Sequence, residues 1–420
     1  MGRSRTHVRP HPAIDLDRLR RDLEALGRIG FSEADGGLHR ESFSDADMQA
    51  RHWFIARLAE AGLDAEMDGA GNVIGRWQTG RGPAILIGSH LDSVPAGGMF
   101  DGALGVVAGL ECVRTLREHG IAPGCPLEVI ATSEEEGRFG GMLGAQALCG
   151  RLSRAQIEAA RDESGLALTE AMARQGLDPA AALRAARDPG AVKAFVELHV
   201  EQGPVLEARG IPVGIVEGIS GVFNWTVTLR GRANHAGTTP MDLRRDAFMG
   251  LADFAGRIPE IIDRSGTTQS RLTVGRVELE PNFPHTVPGA AEFSLIGRDV
   301  DEAVMQALAE ACRAALMRAA ENHGLVLETR EISWLAPKRC HPEVIAAFRA
   351  QAERLGIGTL TMPSGAGHDT QLMSEITRAG MIFVPSIGGV SHAPQERTDW
   401  ADIETGSNLL LHTILALAEA

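Results

Sequence analysis

Two kinds of apolar pattern alternate along the chain. Short, nearly continuous apolar runs bounded by glycine or polar residues lie at 73–74, 84–87, 127–132, 194–198 and 381–384. Runs this short and this apolar predict strands buried on both faces. Between them lie stretches with helical spacing. Ile14, Leu16, Leu19, Leu23 and Leu26 mark a helix over about 14–30. Further helices are predicted over 105–119 and 155–187, the alanine-rich part 171–187 included. Such alternation predicts an α/β fold, with helices packed on the faces of a sheet.

Residues 218–332 follow another rhythm. A strand of alternating polarity over 222–230 precedes a helix over 246–265. Strands over 271–280 and 291–298, a long helix over 302–321 and a strand over 325–332 follow. This β-α-β-β-α-β order is a complete small α+β unit. The sheet pattern resumes after it, so it is expected to be an inserted domain, entered through the glycine-rich "VEGISG". A chain of 420 residues also exceeds what one core usually holds. The expected organisation is a loose tail over 1–13, a mixed-sheet α/β domain formed by 14–217 and 333–420, and an insertion over 218–332.

Charge narrows the function. The chain carries 41 Lys and Arg against 55 Asp and Glu, a formal net charge of −14. That excludes nucleic acid and anionic membranes as natural partners. An anionic substrate must then be held by a few specific cations. Five scattered cysteines with no CxxC fit reduced thiols and a cytoplasmic protein. The basic first dozen residues lack an apolar signal core, and no apolar run approaches the roughly 18 residues of a membrane span.

The polar residues at the strand ends carry the chemistry. The run 84–87 leads into His90, 127–132 into Glu134, Glu135 and Glu136, 194–198 into His199, and 381–384 into the loop holding His392. In open α/β sheets the carboxyl ends of the strands form the ligand crevice, so these residues are expected to converge. With Asp101, one glutamate of the triplet gives two carboxylates and three imidazoles. That set suits two divalent transition metals sharing a carboxylate, with positions left open for water and substrate. Imidazole and carboxylate without thiolate favour zinc, manganese, cobalt or nickel. The glycines of "GSHLDSVPAGGMFDGALG" let the chain turn sharply enough to aim His90 and Asp101 at one point, and Asp92 is placed to orient the His90 ring. Glu135 and Glu136 point in different directions, so one can ligate while the other serves as a base.

Six ordered motifs, "GSHLDSVPAGGMFDGALGV", "SEEEGRFGGMLGAQ", "VELHVEQGPVLE", "GRANHAGTTPM", "MPSGAGHDTQ" and "GGVSHAPQE", resemble the M20-type amidases. That family comprises N-carbamoyl-L-amino-acid hydrolases, β-ureidopropionases and allantoate amidohydrolases. The resemblance covers the chain from about residue 14 to its end. It implies a dinuclear metal domain with a smaller lid domain that also forms a homodimer. His90, Asp101 and His199 would hold one metal, and Asp101, Glu136 and His392 the other. Glu135 would be the general base. His235 would stabilise the oxyanion, and Gln202 would contact substrate. Gly365, Ala366 and Gly367 would line the pocket, supported by His368 and Asp369. Arg298 would bind the substrate carboxylate. Two positions depart from the family pattern: His285 replaces the usual asparagine before "TVPG", and Ile296 stands where an aspartate is common. The implied reaction is hydrolysis of the carbamoyl C–N bond of small anionic N-carbamoyl amino acids. Allantoate and related ureido acids are the second reading. Aminoacylase or peptidase activity, or a metal-free binding protein, are the remaining ones.

Overall fold

A computed structural model describes residues 12–420, so the expected tail over 1–13 falls almost wholly outside the described residues. Contacts divide the chain into two units. One comprises the chain up to Glu217, Cys340–Met362 and His368–Ala420; the other comprises Gly218–Arg339 and Pro363–Gly367. The smaller unit thus runs past the expected end at 332 and includes a short return segment.

The larger unit is built on a mixed sheet. Its strands lie in the order Asp64–Met67, Val73–Trp77, Leu127–Thr132, Ala84–His90, Val192–Val200, Arg378–Val384 and Val213–Ile219. The pairings from Leu127–Thr132 through Arg378–Val384 are parallel, and the flanking ones are antiparallel. Strands Ala84–His90 and Leu127–Thr132 are buried at every position. That explains runs without polar alternation. Register aligns the carboxyl ends. His90 pairs with Thr132, Ile87 with Val196, and Phe383 with His199. His90 and His199 therefore stand level on one edge, with the loops after Thr132 and Val384 beside them.

Helix Ala103–Glu118 packs on strand Ala84–His90. Leu104, Val107 and Leu110 are fully buried. Each contributes about 1.5–3 kcal/mol by leaving water. The helix starts at Ala103, two residues after Asp101, so its burial also anchors that residue.

The smaller unit carries a four-stranded antiparallel sheet in the order Val326–Leu335, Gly221–Arg230, Ala290–Asp299, Arg271–Glu280. Phe223, Trp225, Val227 and Leu229 point from alternate positions into one core. Helices Ala247–Gly256, Ile258–Ser265 and Glu302–His323 supply its other side.

Two expected helices are divided. The segment 155–187 forms helices Arg154–Ala159 and Leu168–Arg174 and a 3-10 turn Ala181–Arg184. The Asp162 carboxylate takes the N–H of Ser164 and Leu166, and Gly165 and Gly176 adopt left-handed φ of 86° and 76°. These turns override alanine propensity. The stretch 246–265 breaks at Arg257, just before the second helix, whose first turn contains Pro259. Helices Asp45–Glu60, Pro342–Leu355 and Trp400–Glu419 were not expected from the pattern.

Candidate metal centre and its surroundings

Five side chains gather at the carboxyl edge of the larger unit's sheet. His90, Asp101 and His199 form one group, and Asp101, Glu136 and His392 another, with the ligand-type atoms of each group within 4.8 Å of one another. Asp101 belongs to both. Its Oδ1 lies 3.1 Å from His199 Nε2 and 3.6 Å from His90 Nε2. Its Oδ2 lies 3.2 Å from His392 Nε2, which is 3.3 Å from Glu136 Oε2. Each carboxylate oxygen of Asp101 thus faces a different group.

Local structure sets the imidazoles. His90 Nδ1 is 3.0 Å from the Asp92 carbonyl, and His199 Nδ1 is 2.9 Å from the Val200 carbonyl. A carbonyl only accepts, so each Nδ1 carries a proton, and in the neutral ring Nε2 offers its lone pair toward Asp101. Gly102, at φ 62°, makes the turn possible. A Cβ there would meet the His90 ring at 2.5 Å. Glu134, Gln202 and His392 also adopt left-handed φ of 55°, 58° and 54°. Non-glycine residues rarely do so, and such strain collects at functional sites.

The electrostatics call for positive charge. Burial opposes ionisation of Asp101, but hydrogen bonds with His199, His392 and His90 hold its carboxyl well below the usual range. Burial pulls His90 down, yet Glu135, Asp101, Asp92 and Glu136 outweigh it and hold the ring well above its ordinary value. Its bond to Asp101 lifts His392 to about 9 against burial. Burial, then Asp101, pushes Glu136 up to about 7, and burial raises Glu135 well above the carboxylate range. Protons and cations compete for such a centre. Among the described residues, Glu136 Oε1 is buried without a hydrogen-bond partner, and Asp101 Oδ1 faces only the imidazole nitrogens of His199 and His90. Orphaned buried carboxylate oxygens are costly, and a cation between them and the imidazole nitrogens removes the cost. The donor set fits divalent transition metals. A third group, Glu197, His199 and His368, lies behind. There the Glu197 carboxylate is already engaged by Ser89 and Thr370.

The other expected residues separate by unit. In the larger unit, Glu135 Oε2 stands 3.7 Å from His90 Nε2, and the Glu135 carboxylate accepts no hydrogen bond from the described residues. Gln202 Nε2 donates to Asp101 Oδ2 at 2.8 Å. The His368 ring lies edge-on to His199, with centroids 4.5 Å apart, and burial holds it well below its ordinary value. Asp369 accepts from Thr132 Oγ1 at 2.5 Å. Asp92 meets the His90 ring through its backbone. Its carboxylate is 3.8 Å from His90 Nδ1, and the ring bonds to the Asp92 carbonyl instead. The carboxylate accepts from Ser42 and from the N–H groups of Glu135 and Glu136, so it shapes the glutamate loop.

In the smaller unit, His235 is exposed, and its Nδ1 accepts from the N–H of Gly237 and Thr238 at 3.0 and 3.2 Å. His285 is exposed beside it, since Thr286 pairs with His235 and the His285 carbonyl accepts from Ala236. Arg298 is half-buried and donates to the Gly365 carbonyl at 2.6 Å, next to Ala366 and Gly367. Among the described residues it has no acidic partner, and burial alone lowers its pKa. Sequence reasoning overlooked Ser391 and Glu396, which lie against Asp101. Their only signal is their place inside "GGVSHAPQE".

Residues 86–416 match the peptidase family M20/M25/M40. The chain belongs to this family. An N-carbamoyl-L-amino acid amidohydrolase of Geobacillus stearothermophilus is 42% identical, over 97% of this chain and 99% of the relative. An allantoate amidohydrolase of Bacillus subtilis is 36% identical, over 94% of this chain and 96% of the relative. The crystal structure of a hydantoinase/carbamoylase family amidase from Burkholderia multivorans has a TM-score of 0.90 at 33% identity, covering 97% of this chain and 98% of that one. No described helix is long and apolar enough to cross a membrane.

Proposed function

We propose that the protein hydrolyses the carbamoyl C–N bond of N-carbamoyl amino acids, releasing amino acid, CO2 and ammonia. The observation that carries this is the pair of ligand groups sharing Asp101, one oxygen turned toward each. His90, Asp101 and His199 would hold one divalent ion, and Asp101, Glu136 and His392 a second, with zinc foremost and manganese, cobalt or nickel as substitutes. When bound, such ions polarise the scissile carbonyl and lower the pKa of water.

The remaining work falls to the chain's own groups. Glu135 takes the proton of the attacking water and delivers it to the leaving nitrogen, which its unengaged carboxylate leaves it able to do. His235 keeps Nδ1 as an acceptor of backbone N–H, so its Nε2 carries the proton offered to the developing oxyanion. Arg298, unpaired by any acid among the described residues, takes the substrate carboxylate in a two-point contact. Gln202, His285 and the backbone of Gly365, Ala366 and Gly367 hold the rest of the substrate. The chain acts as a homodimer joined through the smaller unit, in the cytoplasm.

The Bacillus subtilis relative favours allantoate as the second substrate, since it too joins a ureido group to a carboxylate. The test is ammonia release from metal-loaded protein offered N-carbamoyl amino acids, their carboxamides, 3-ureidopropionate and allantoate. N-carbamoyl amino acids should lead, and each carboxamide should fall far behind its acid. Equal turnover of acid and carboxamide, or turnover of dipeptides alone, would contradict the reading.

A further inference from the structure

One buried carboxylate near the centre has no role in the chemistry above. Glu396 is only 4% exposed. Its Oε1 accepts the backbone N–H of both Phe100 and Asp101 at 3.0 Å. Its Oε2 accepts from Ser391 Oγ at 2.7 Å, and that hydroxyl also lies 3.2 Å from Asp101 Oδ2. Two loops far apart in sequence, one carrying Asp101 and the other His392, are therefore joined through a single side chain. No ion pair to Glu396 occurs among the described residues, so its bonds are all to dipoles.

A second observation comes from the first loop. A Cβ on Gly98 would meet Glu396 Oε1 at 2.3 Å and Glu396 Cβ at 2.4 Å. Gly98 needs no unusual backbone angle, so the missing side chain matters for space alone. This glycine leaves room for the carboxylate.

We infer that Glu396 is a positioning residue that clamps the Asp101 loop to the His392 loop, with Gly98 as its receiving gap. The inference rests on the proposed metal centre. Oε1 sets the backbone of Asp101, which faces both ligand groups. Oε2 sets Ser391, whose neighbour His392 belongs to one group only. Loss of the clamp should therefore weaken the ion held by Asp101, Glu136 and His392 most. The role is one of hydrogen-bond acceptance rather than charge. A glutamine can accept both N–H groups with its oxygen and donate to Ser391 Oγ with its nitrogen.

The test is competitive zinc titration against a chromophoric chelator on stripped wild-type protein, Glu396→Ala, Glu396→Gln and Gly98→Ala, with melting temperature as a check on folding. Supporting groups of this kind typically contribute roughly 10–100-fold to metal affinity. Glu396→Ala should lose about that factor at one of the two sites and much less at the other, Gly98→Ala should reproduce the loss, and Glu396→Gln should stay within a few-fold of wild type. If Glu396→Ala fails to fold, Gly98→Ala and Glu396→Gln decide the matter. Two wild-type ions with unaltered affinity in the alanine variants would overturn the clamp alone. Equal damage from glutamine and alanine would also overturn it, in favour of charge. A wild-type protein that binds no zinc would overturn both the clamp and the centre it serves.

Discussion

The candidate residues of the two units differ mainly in burial, with exposed His392 the exception in the larger unit. In the larger unit His90, Asp101 and His199 are at most 5% exposed, and each touches several polar partners. In the smaller unit His235 and His285 are exposed, and their neighbours in the described chain are mostly their own backbone. The side chains of His90, Asp101 and His199 are enclosed by their own unit. His235 lies on a two-stranded ribbon, and His285 directly precedes its other strand. On the proposed reading, the difference makes metal affinity and transition-state contact separable by substitution.

The strongest way to break that separation is Asp101→Asn. Both ligand groups lose their shared carboxylate charge. Bound metal should fall to near none, and ammonia release should drop below detection. Substantial metal retention by this variant would show that the two groups do not depend on Asp101. Next in size is Glu135→Gln, which should keep the metal and lose roughly 10²–10⁴ in kcat, the usual contribution of a general base. Glu136→Gln should lose metal as well. Elemental analysis that found both glutamate variants equally depleted would erase the distinction between base and ligand.

The smallest effect belongs to the exposed side. His235→Ala should leave metal content and melting temperature unchanged and lower kcat by about 10²–10³, as for one oxyanion donor. If each His235 serves the partner subunit, equal mixtures of Glu135→Ala and His235→Ala should regain roughly a quarter of wild-type activity as dimers assort. Demonstrated mixed dimers without recovery would place its action within its own chain or remove it from catalysis.

The buried centre was the more legible half in the sequence. Each apolar run at the sheet's core ends in a polar residue, and parallel pairing brings such ends to one edge. His90, His199 and the glutamate triplet could be read from that rule alone. The contributions of Asp92 and Glu396 could not. Each acts by accepting backbone N–H from a remote loop, and no local pattern records a partner 296 residues away in the chain. The segment 155–187 was misread for a related reason. Alanine content suggested one helix, while Asp162, Gly165 and Gly176 set turns within it. In the smaller unit the succession of strands and helices along the chain was legible, but nothing in the sequence reported the order of the strands in the sheet or that Arg298 would reach the Gly365 carbonyl.

The most direct test of the shared-carboxylate centre is to strip the wild-type protein of metal and titrate zinc back, following melting temperature and ammonia release from an N-carbamoyl amino acid together. A ligand that binds only the native state raises its stability by mass action. Melting temperature should rise and activity should return as zinc is added, both levelling off at two ions per chain, with neither change in Asp101→Asn. Full activity in the stripped protein, or a rise in melting temperature that persists in Asp101→Asn, would contradict it.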